Sequence, residues 1–210
     1  MRKTKQSEVF LLVYQKISEL RNRVGHDSSN KDVNTLGATI QAMLETGYGQ
    51  HAPYNNWYGI KCTNYWVSHG NKCFDAKTKE DTKDGLVDVV AGFRAYESLA
   101  HCLLDYHRII TELSYYDEAA HNHDCVWNYY QGLDGVWATD RRYYDKLVQL
   151  TLHCCNFVDM RRRIPLIDKW LGNSFTVGVE RGLSQRNQDI IKEYAIQYRS
   201  DFPKLYEATC

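Results

Sequence analysis

Gly37-Ala38-Thr39-Ile40-Gln41-Ala42-Met43-Leu44-Glu45-Thr46-Gly47-Tyr48-Gly49-Gln50 is the stretch on which the reading of this chain turns. Leu36, Ile40, Met43 and Leu44 recur at helical spacing, which predicts a helix over residues 31–46. Gly47 is placed to end it in a left-handed conformation. Glu45 then stands on the last turn of an apolar helix. Apolar neighbours penalise its ionised form, and the helix C-terminus is the negative end of the backbone dipole, so both raise its pKa. A carboxylic acid held protonated near neutral pH is the proton donor that cleavage of a glycosidic bond needs. The glycines that follow let backbone pass close to a ligand beside that carboxyl. On composition alone, a solvated glutamate at a helix end is the favoured reading.

Working outward, Val9, Leu12, Val13, Ile17, Leu20 and Val24 predict an amphipathic helix over 8–24, followed by a polar loop at 25–30. Residues 47–70 are rich in Tyr, Trp, Asn and Gly, a poor helix and a good substrate-facing loop. A polar turn at 81–85 separates two β-like stretches, and Leu86-Val87-Asp88-Val89-Val90 is β-branched, so a hairpin is predicted within 73–96. Helices return at 98–113, 125–132 and 140–158, with one clear helical stretch in the tail at 185–199. The fold class is α+β, mostly α: a helical body with one small β insert.

The same stretch carries a resemblance. Leu44-Glu45-Thr46-Gly47-Tyr48-Gly49 resembles the Glu-Ser-Gly-Trp-Gly signature of the glucosaminidase family of peptidoglycan hydrolases, which includes autolysins, phage lysins and the wall-cutting domain of the flagellar rod-cap protein. Further matches follow in the family's order. Asn55-Asn56-Trp57-Tyr58-Gly59-Ile60-Lys61 is similar to its Asn-Asn-Leu-Phe-Gly-Ile-Lys motif, and Tyr65-Trp66 falls where it has an aromatic. Thr78-Lys79-Glu80 precedes Gly85 as in its hairpin, Phe93-Arg94-Ala95-Tyr96 matches Phe-Arg-x-Tyr, and Asp105-Tyr106 opens its next helix. Trp137-Ala138-Thr139-Asp140 resembles Tyr-Ala-Thr-Asp, with Tyr144-Asp145-Lys146-Leu147 behind it.

The resemblance spans residues 32–155. It implies a lysozyme-like fold, with a helical lobe, a small β-hairpin lobe and a cleft between them, in a catalytic domain over 1–160. Residues 161–210 are a helical C-terminal extension with no family match. It implies Glu45 as the general acid and Glu80 as the second carboxylate. Glu80 is either a base toward water or a group stabilising the oxocarbenium-like centre or the acetamide, since a 2-acetamido sugar can supply its own nucleophile. Asp81 or Asp84 on the same hairpin are substitutes for it, and a solvated hairpin charge is the plain alternative. Substrate contacts are assigned to Tyr48, Asn56, Trp57, Trp66, Tyr96 and Trp137. Of these, Trp66 and Trp137 are favoured for the cleft, while core packing is the default for Tyr96 and for Tyr58. Arg94 is read as a hairpin-to-helix salt bridge. The sequence departs from the family at Tyr48 for Trp, Trp57 for an aliphatic residue, Asp81 for an aromatic, and Trp137 for Tyr. The last matters because an indole N–H donates but does not accept.

The implied activity is that of an endo-β-N-acetylglucosaminidase on peptidoglycan glycan strands. A muramidase or lytic transglycosylase on the same fold is the nearest alternative, and a non-catalytic wall-binding or virion structural module the alternative of another class. The net charge of zero argues against nucleic acid as a partner. The apolar run at 9–14 is too short for a signal sequence or a membrane span. Seven cysteines without a CxxC are read as mostly free thiols of a protein made in a reducing cytoplasm without a signal peptide, acting on the wall after lysis or from a virion, beside other lysin or virion subunits. No metal or cofactor is required, and the His121–Cys125 stretch lacks a second Cys/His pair at ligand spacing.

Overall fold

The computed structural model describes residues 2–24, 30–82, 85–157 and 166–210. The first helix, α1 (Arg2–Val24), starts earlier than its apolar pattern and buries Phe10, Val13, Ile17 and Leu20. Leu12 and Val24, counted toward that stripe in the sequence, are 49% and 42% exposed, because the face is centred on Phe10 instead. The catalytic-helix candidate, α2 (Thr35–Thr46), begins four residues later than the periodicity suggested. Asn34 is its cap: the side-chain oxygen accepts the Gly37 N–H at 2.7 Å, which fixes the start. At its end Gly47 lies at φ 55°, and Tyr48 N–H bonds Met43 O at 2.9 Å, a Schellman closure of the last turn.

The stretch expected to be irregular holds a 3-10 turn (Pro53–Asn55) and a short helix, α3 (Asn64–Ser68), capped by Thr63. The hairpin is present: β1 (Cys73–Thr82) pairs antiparallel with β2 (Gly85–Arg94), in register from Cys73↔Arg94 to Thr82↔Gly85. There follow α4 (Leu99–Glu112), a 3-10 turn (Ser114–Tyr116), α5 (Asp117–His121), α6 (Val126–Leu133) and α7 (Tyr143–Cys155). The tail adds α8 (Ile167–Glu180), α9 (Gln185–Gln197) and α10 (Pro203–Thr209). The expected architecture, a helical body carrying one β-hairpin, is what the chain adopts.

The short α6 is the centre of the body, with Trp127, Tyr129, Tyr130 and Leu133 fully buried. Gly132 lets α5 approach it: a Cβ there would lie 2.3 Å from Ala119 N. The tail packs on this same core. Trp127 Nε1 donates to Leu171 O at 3.1 Å, Tyr194 Oη donates to Asp145 at 2.8 Å, and Leu171, Phe175, Ile191, Phe202 and Leu205 are buried.

Two cysteines depart from the free-thiol reading. Cys62 and Cys73 form a disulfide that ties the 56–62 loop to the first residue of β1. The geometry is local, since loop and strand root are neighbours through the clamp described below. Cys102, Cys125, Cys154, Cys155 and Cys210 are free. Among the described residues no helix is long and apolar enough to cross a membrane, and no cluster of three His, Cys, Asp or Glu could hold a metal. Most of the 25–30 loop, the hairpin tip, Val158 and the basic run Arg161-Arg162-Arg163, read as a solvated helix end, lie outside the described residues.

Candidate active site

Glu45 projects from the last turn of α2, and the turn that follows is rigidly made. Thr46 Oγ1 donates to Ala42 O at 2.6 Å and accepts the Gly49 N–H at 2.8 Å, while His51 N–H reaches Thr46 O at 2.9 Å. The glycines divide the work differently from the sequence expectation. Gly47 caps the helix. Gly49, at φ 76°, admits Trp57, whose ring would sit 2.9 Å from any Cβ there. The glycine beside the carboxyl is Gly59, at φ 62°, where a Cβ would come within 3.9 Å of Glu45 Oε2.

The carboxyl is held from α7. Tyr143 Oη donates to Glu45 Oε1 at 3.0 Å, and the Trp137 side chain hydrogen-bonds the same group. Glu45 is exposed by surface area, yet protein surrounds its carboxyl closely, as on the wall of an open cleft. Burial is the largest influence on its pKa and raises it. The Tyr143 hydroxyl, the Lys146 charge and the Trp137 indole pull the other way, and the balance leaves it at about 7. Water on the open side screens part of this rise; a sugar seated there would remove that water and strengthen it. Burial and the neighbouring carboxyl push the Tyr143 phenol far up, so it remains a donor at any working pH. Behind it, Gln41 adjoins Tyr143 and accepts from Tyr106 Oη, which also meets Tyr129 Oη at 2.6 Å.

Several residues picked from the sequence serve as scaffold. Asn56 is 4% exposed; its Nδ2 donates to Ile60 O and Arg94 O, both at 3.0 Å, and its Oδ1 accepts the Ile60 N–H at 2.9 Å. That leaves its amide little capacity for a substrate. Arg94 makes the predicted hairpin-to-helix bridge, 2.7 Å to Asp105, and lies over the Trp66 ring at 4.7 Å. Tyr96 Oη donates to the same Asp105 oxygen at 2.7 Å, in line with its default as core. Trp66, favoured for the cleft, is instead 4% exposed with its Nε1 donating to Lys72 O at 2.9 Å; Arg94 lies over its ring and Tyr96 meets it edge-on. These motifs form a clamp that fixes the hairpin root to α4 and to the Gly59 turn.

Trp57 is half-buried beneath Gly49, and Trp137 is half-buried among Tyr58, Tyr106 and Tyr116 with its edge at Glu45. Tyr48 borders a groove of about 250 Å³ with Leu44, Lys146, Gln149, His153 and Tyr198. Glu80 lies on β1 opposite Val87; its side chain, and those of Asp81 and Asp84, fall outside the described residues. The residue that sequence reading missed is Tyr143. It sits three positions after Asp140 of the Trp-Ala-Thr-Asp match, and a tyrosine at the start of an apolar helix signals core as readily as chemistry.

Residues 26–154 match the family model Glucosaminidase, described as mannosyl-glycoprotein endo-beta-N-acetylglucosaminidase. A peptidoglycan hydrolase mutant from Sphingomonas sp. A1 superposes with a TM-score of 0.60 at 25% identity, covering 75% of this chain and 97% of that one. The catalytic domain of the autolysin Auto from Listeria monocytogenes gives a TM-score of 0.57 at 24% identity, over 75% of this chain and 88% of its own. A truncated glycoside hydrolase domain of FlgJ from Salmonella typhimurium gives 0.53 at 22%, over 70% and 96%. The last two likenesses speak for the fold. No functionally curated protein matches the chain by sequence.

Proposed function

The chain belongs to the glucosaminidase family of glycoside hydrolases, and on that premise we propose that it cuts the glycan strands of bacterial peptidoglycan as an endo-β-N-acetylglucosaminidase. The observation that carries the reading is the solvent-reachable Glu45 carboxyl, anchored at 3.0 Å by Tyr143 and poised at about pH 7 to give up a proton.

In this reading Glu45 protonates the oxygen of the leaving sugar as the bond breaks and positive charge builds on the ring carbon. Tyr143 and Trp137 donate to the carboxyl as it becomes a carboxylate, so they stabilise the charge that appears after transfer. Glu80, brought by β1, assists on the opposite face or orients the substrate acetamide. The clamp through Asn56, Arg94 and Asp105 sets where the hairpin root stands. Tyr48, Trp57 and Trp137 are the remaining candidates for sugar contact. The biological setting proposed is a phage lysin, freed at lysis or carried on a virion.

The test is digestion of purified peptidoglycan by wild type, Glu45→Gln and Glu80→Gln, with released fragments reduced and read by mass spectrometry. Reduced N-acetylglucosamine ends that vanish in Glu45→Gln support the proposal. Reduced muramic ends would assign a muramidase, and anhydro-muramic ends a transglycosylase. Wall binding without release would leave only the binding module.

A further inference from the structure

A second groove plays no part in this chemistry. It has a volume of about 420 Å³ and lies between α1, the start of α2 and α8. That is within the range of built small-molecule sites and is room for about two sugar rings. It opens at the N-terminal end of α2, whereas Glu45 sits at the other end; twelve residues of helix separate them by roughly 17 Å. Its Trp170 belongs to α8, beyond the 26–154 family match, so the groove exists only because the extension docks where it does.

Its chemistry selects the ligand. The floor is apolar, from Leu36 and Ile167, and the half-buried rings of Tyr14 and Trp170 stand on its walls. Every full charge on the lining is already met by protein. Arg21 Nε holds Asp32 at 2.7 Å and its Nη1 holds Thr35 Oγ1 at 2.9 Å, while both Asp124 oxygens are taken by Arg181. A phosphate or free carboxylate would find no uncompensated cation. The His123 ring is itself engaged, with Arg21 Nη2 3.4 Å from its Nδ1, and what is left over is neutral in sum: the remaining N–H groups of Arg21, the Thr35 hydroxyl proton and the outer lone pairs of Asp124. Two aromatic rings for the apolar side of a sugar, with donors and acceptors among the same lining residues, fit an uncharged polyol.

We infer that this groove is a second saccharide site, which takes about two units of a neutral β-linked N-acetylhexosamine chain and holds wall glycan away from the cut bond. The choice of glycan rests on the proposed function; the preference for an uncharged sugar rests on the groove alone.

The test uses the full chain carrying Glu45→Gln, titrated with chitotetraose while the indole N–H resonances are followed by NMR. Trp170 is assigned through Trp170→Phe, which keeps an aromatic ring in place should Trp170→Ala unfold. Two sites are expected: Trp170 and Trp137 shift with separate saturation curves, and Trp170→Ala or, more weakly, Trp170→Phe reduces affinity at the groove, read there from the backbone amide shifts of Thr35 and Leu36, by about tenfold for alanine, while the Trp137 curve stays. A Trp170 signal that stays still while Trp137 saturates overturns the second site and leaves the active-site reading intact. Movement of Trp170 without Trp137 upholds the groove and sinks the active-site reading. Stillness of both sinks the two together.

Discussion

Replacing Tyr143 by Phe removes one oxygen and probes the centre of the proposed chemistry. That oxygen donates to Glu45 Oε1 at 3.0 Å and is one of three groups holding the carboxyl pKa down against burial. A hydrogen bond to a charged acceptor is worth about 1.5–3 kcal/mol and one to its neutral form about half that, a difference of about 1.1 kcal/mol. That difference is roughly one pKa unit. Glu45 titrates at about 7, so the variant's carboxyl titrates about one unit higher. Its acid form then persists to higher pH, and the basic limb of the pH profile of kcat/KM moves up by that amount. On the plateau the rate falls roughly tenfold, because the acid loses its anchor and the new carboxylate a donor. The assay is the initial rate of fragment release from peptidoglycan between pH 4 and pH 9. A limb at the wild-type pH with an unchanged plateau would refute the role given to Tyr143.

Other consequences are checkable by unfolding. Asp105→Ala leaves Arg94 buried without its partner and costs about 3–5 kcal/mol in urea; a loss below about 1 kcal/mol would show that the clamp is not a buried ion pair. Gly49→Ala imposes a Cβ at φ 76° and 2.9 Å from Trp57, so about 1–3 kcal/mol of strain should lower Tm and activity together, and an unchanged Tm would count against the close approach. Burial would raise the pKa of Asp32, yet hydrogen bonds from His107, Arg21 and the Val33 N–H bring it to about 2. A depressed carboxyl stabilises above its unfolded value near 3.8 and loses that contribution as pH falls toward 2; about 2 kcal/mol should vanish over this window in wild type and not in Asp32→Asn.

What could be read from the sequence was the part governed by local rules. The α2 pattern, Gly47 and the β-branched run at 86–90 each meant what their chemistry suggested. Asn34 shows the limit: periodicity pointed to a start at residue 31, but a single side-chain hydrogen bond to Gly37 set it at 35. In α1 the apolar residues were visible while the buried face was not, since Leu12 and Phe10 are equally apolar and only packing chooses. Helix α8 was missed because Gly172, Ser174 and Gly178 dilute its pattern. Those same residues are needed where α8 meets its neighbours: a Cβ on Gly172 would lie 2.7 Å from Lys204 O, and one on Gly178 2.6 Å from Asn128. Within the candidate site, the pair that the structure brings together, Glu45 and Trp137, could be picked out through motifs. Asn56, Trp66 and Tyr96 also lie in motifs, but in this chain they build the clamp, and a motif does not say whether it touches a ligand or another loop. Tyr143 carried no such flag.

The docking of α8 to α10 separates two boundaries that are easily equated. Family likeness stops at residue 154, but the hydrophobic interior does not: Leu171, Phe175 and Ile191 cover α6 and α7 as a lid of side chains. A polypeptide ended near residue 160 would present Trp127 and its neighbours to water, an apolar patch of the kind that drives aggregation. Swapping the tail as a cassette, or grafting the family-matched portion onto another protein, therefore has no clean cut point before the end of α10. Limited proteolysis of the native chain should leave the two portions associated, and heat should melt them in one transition.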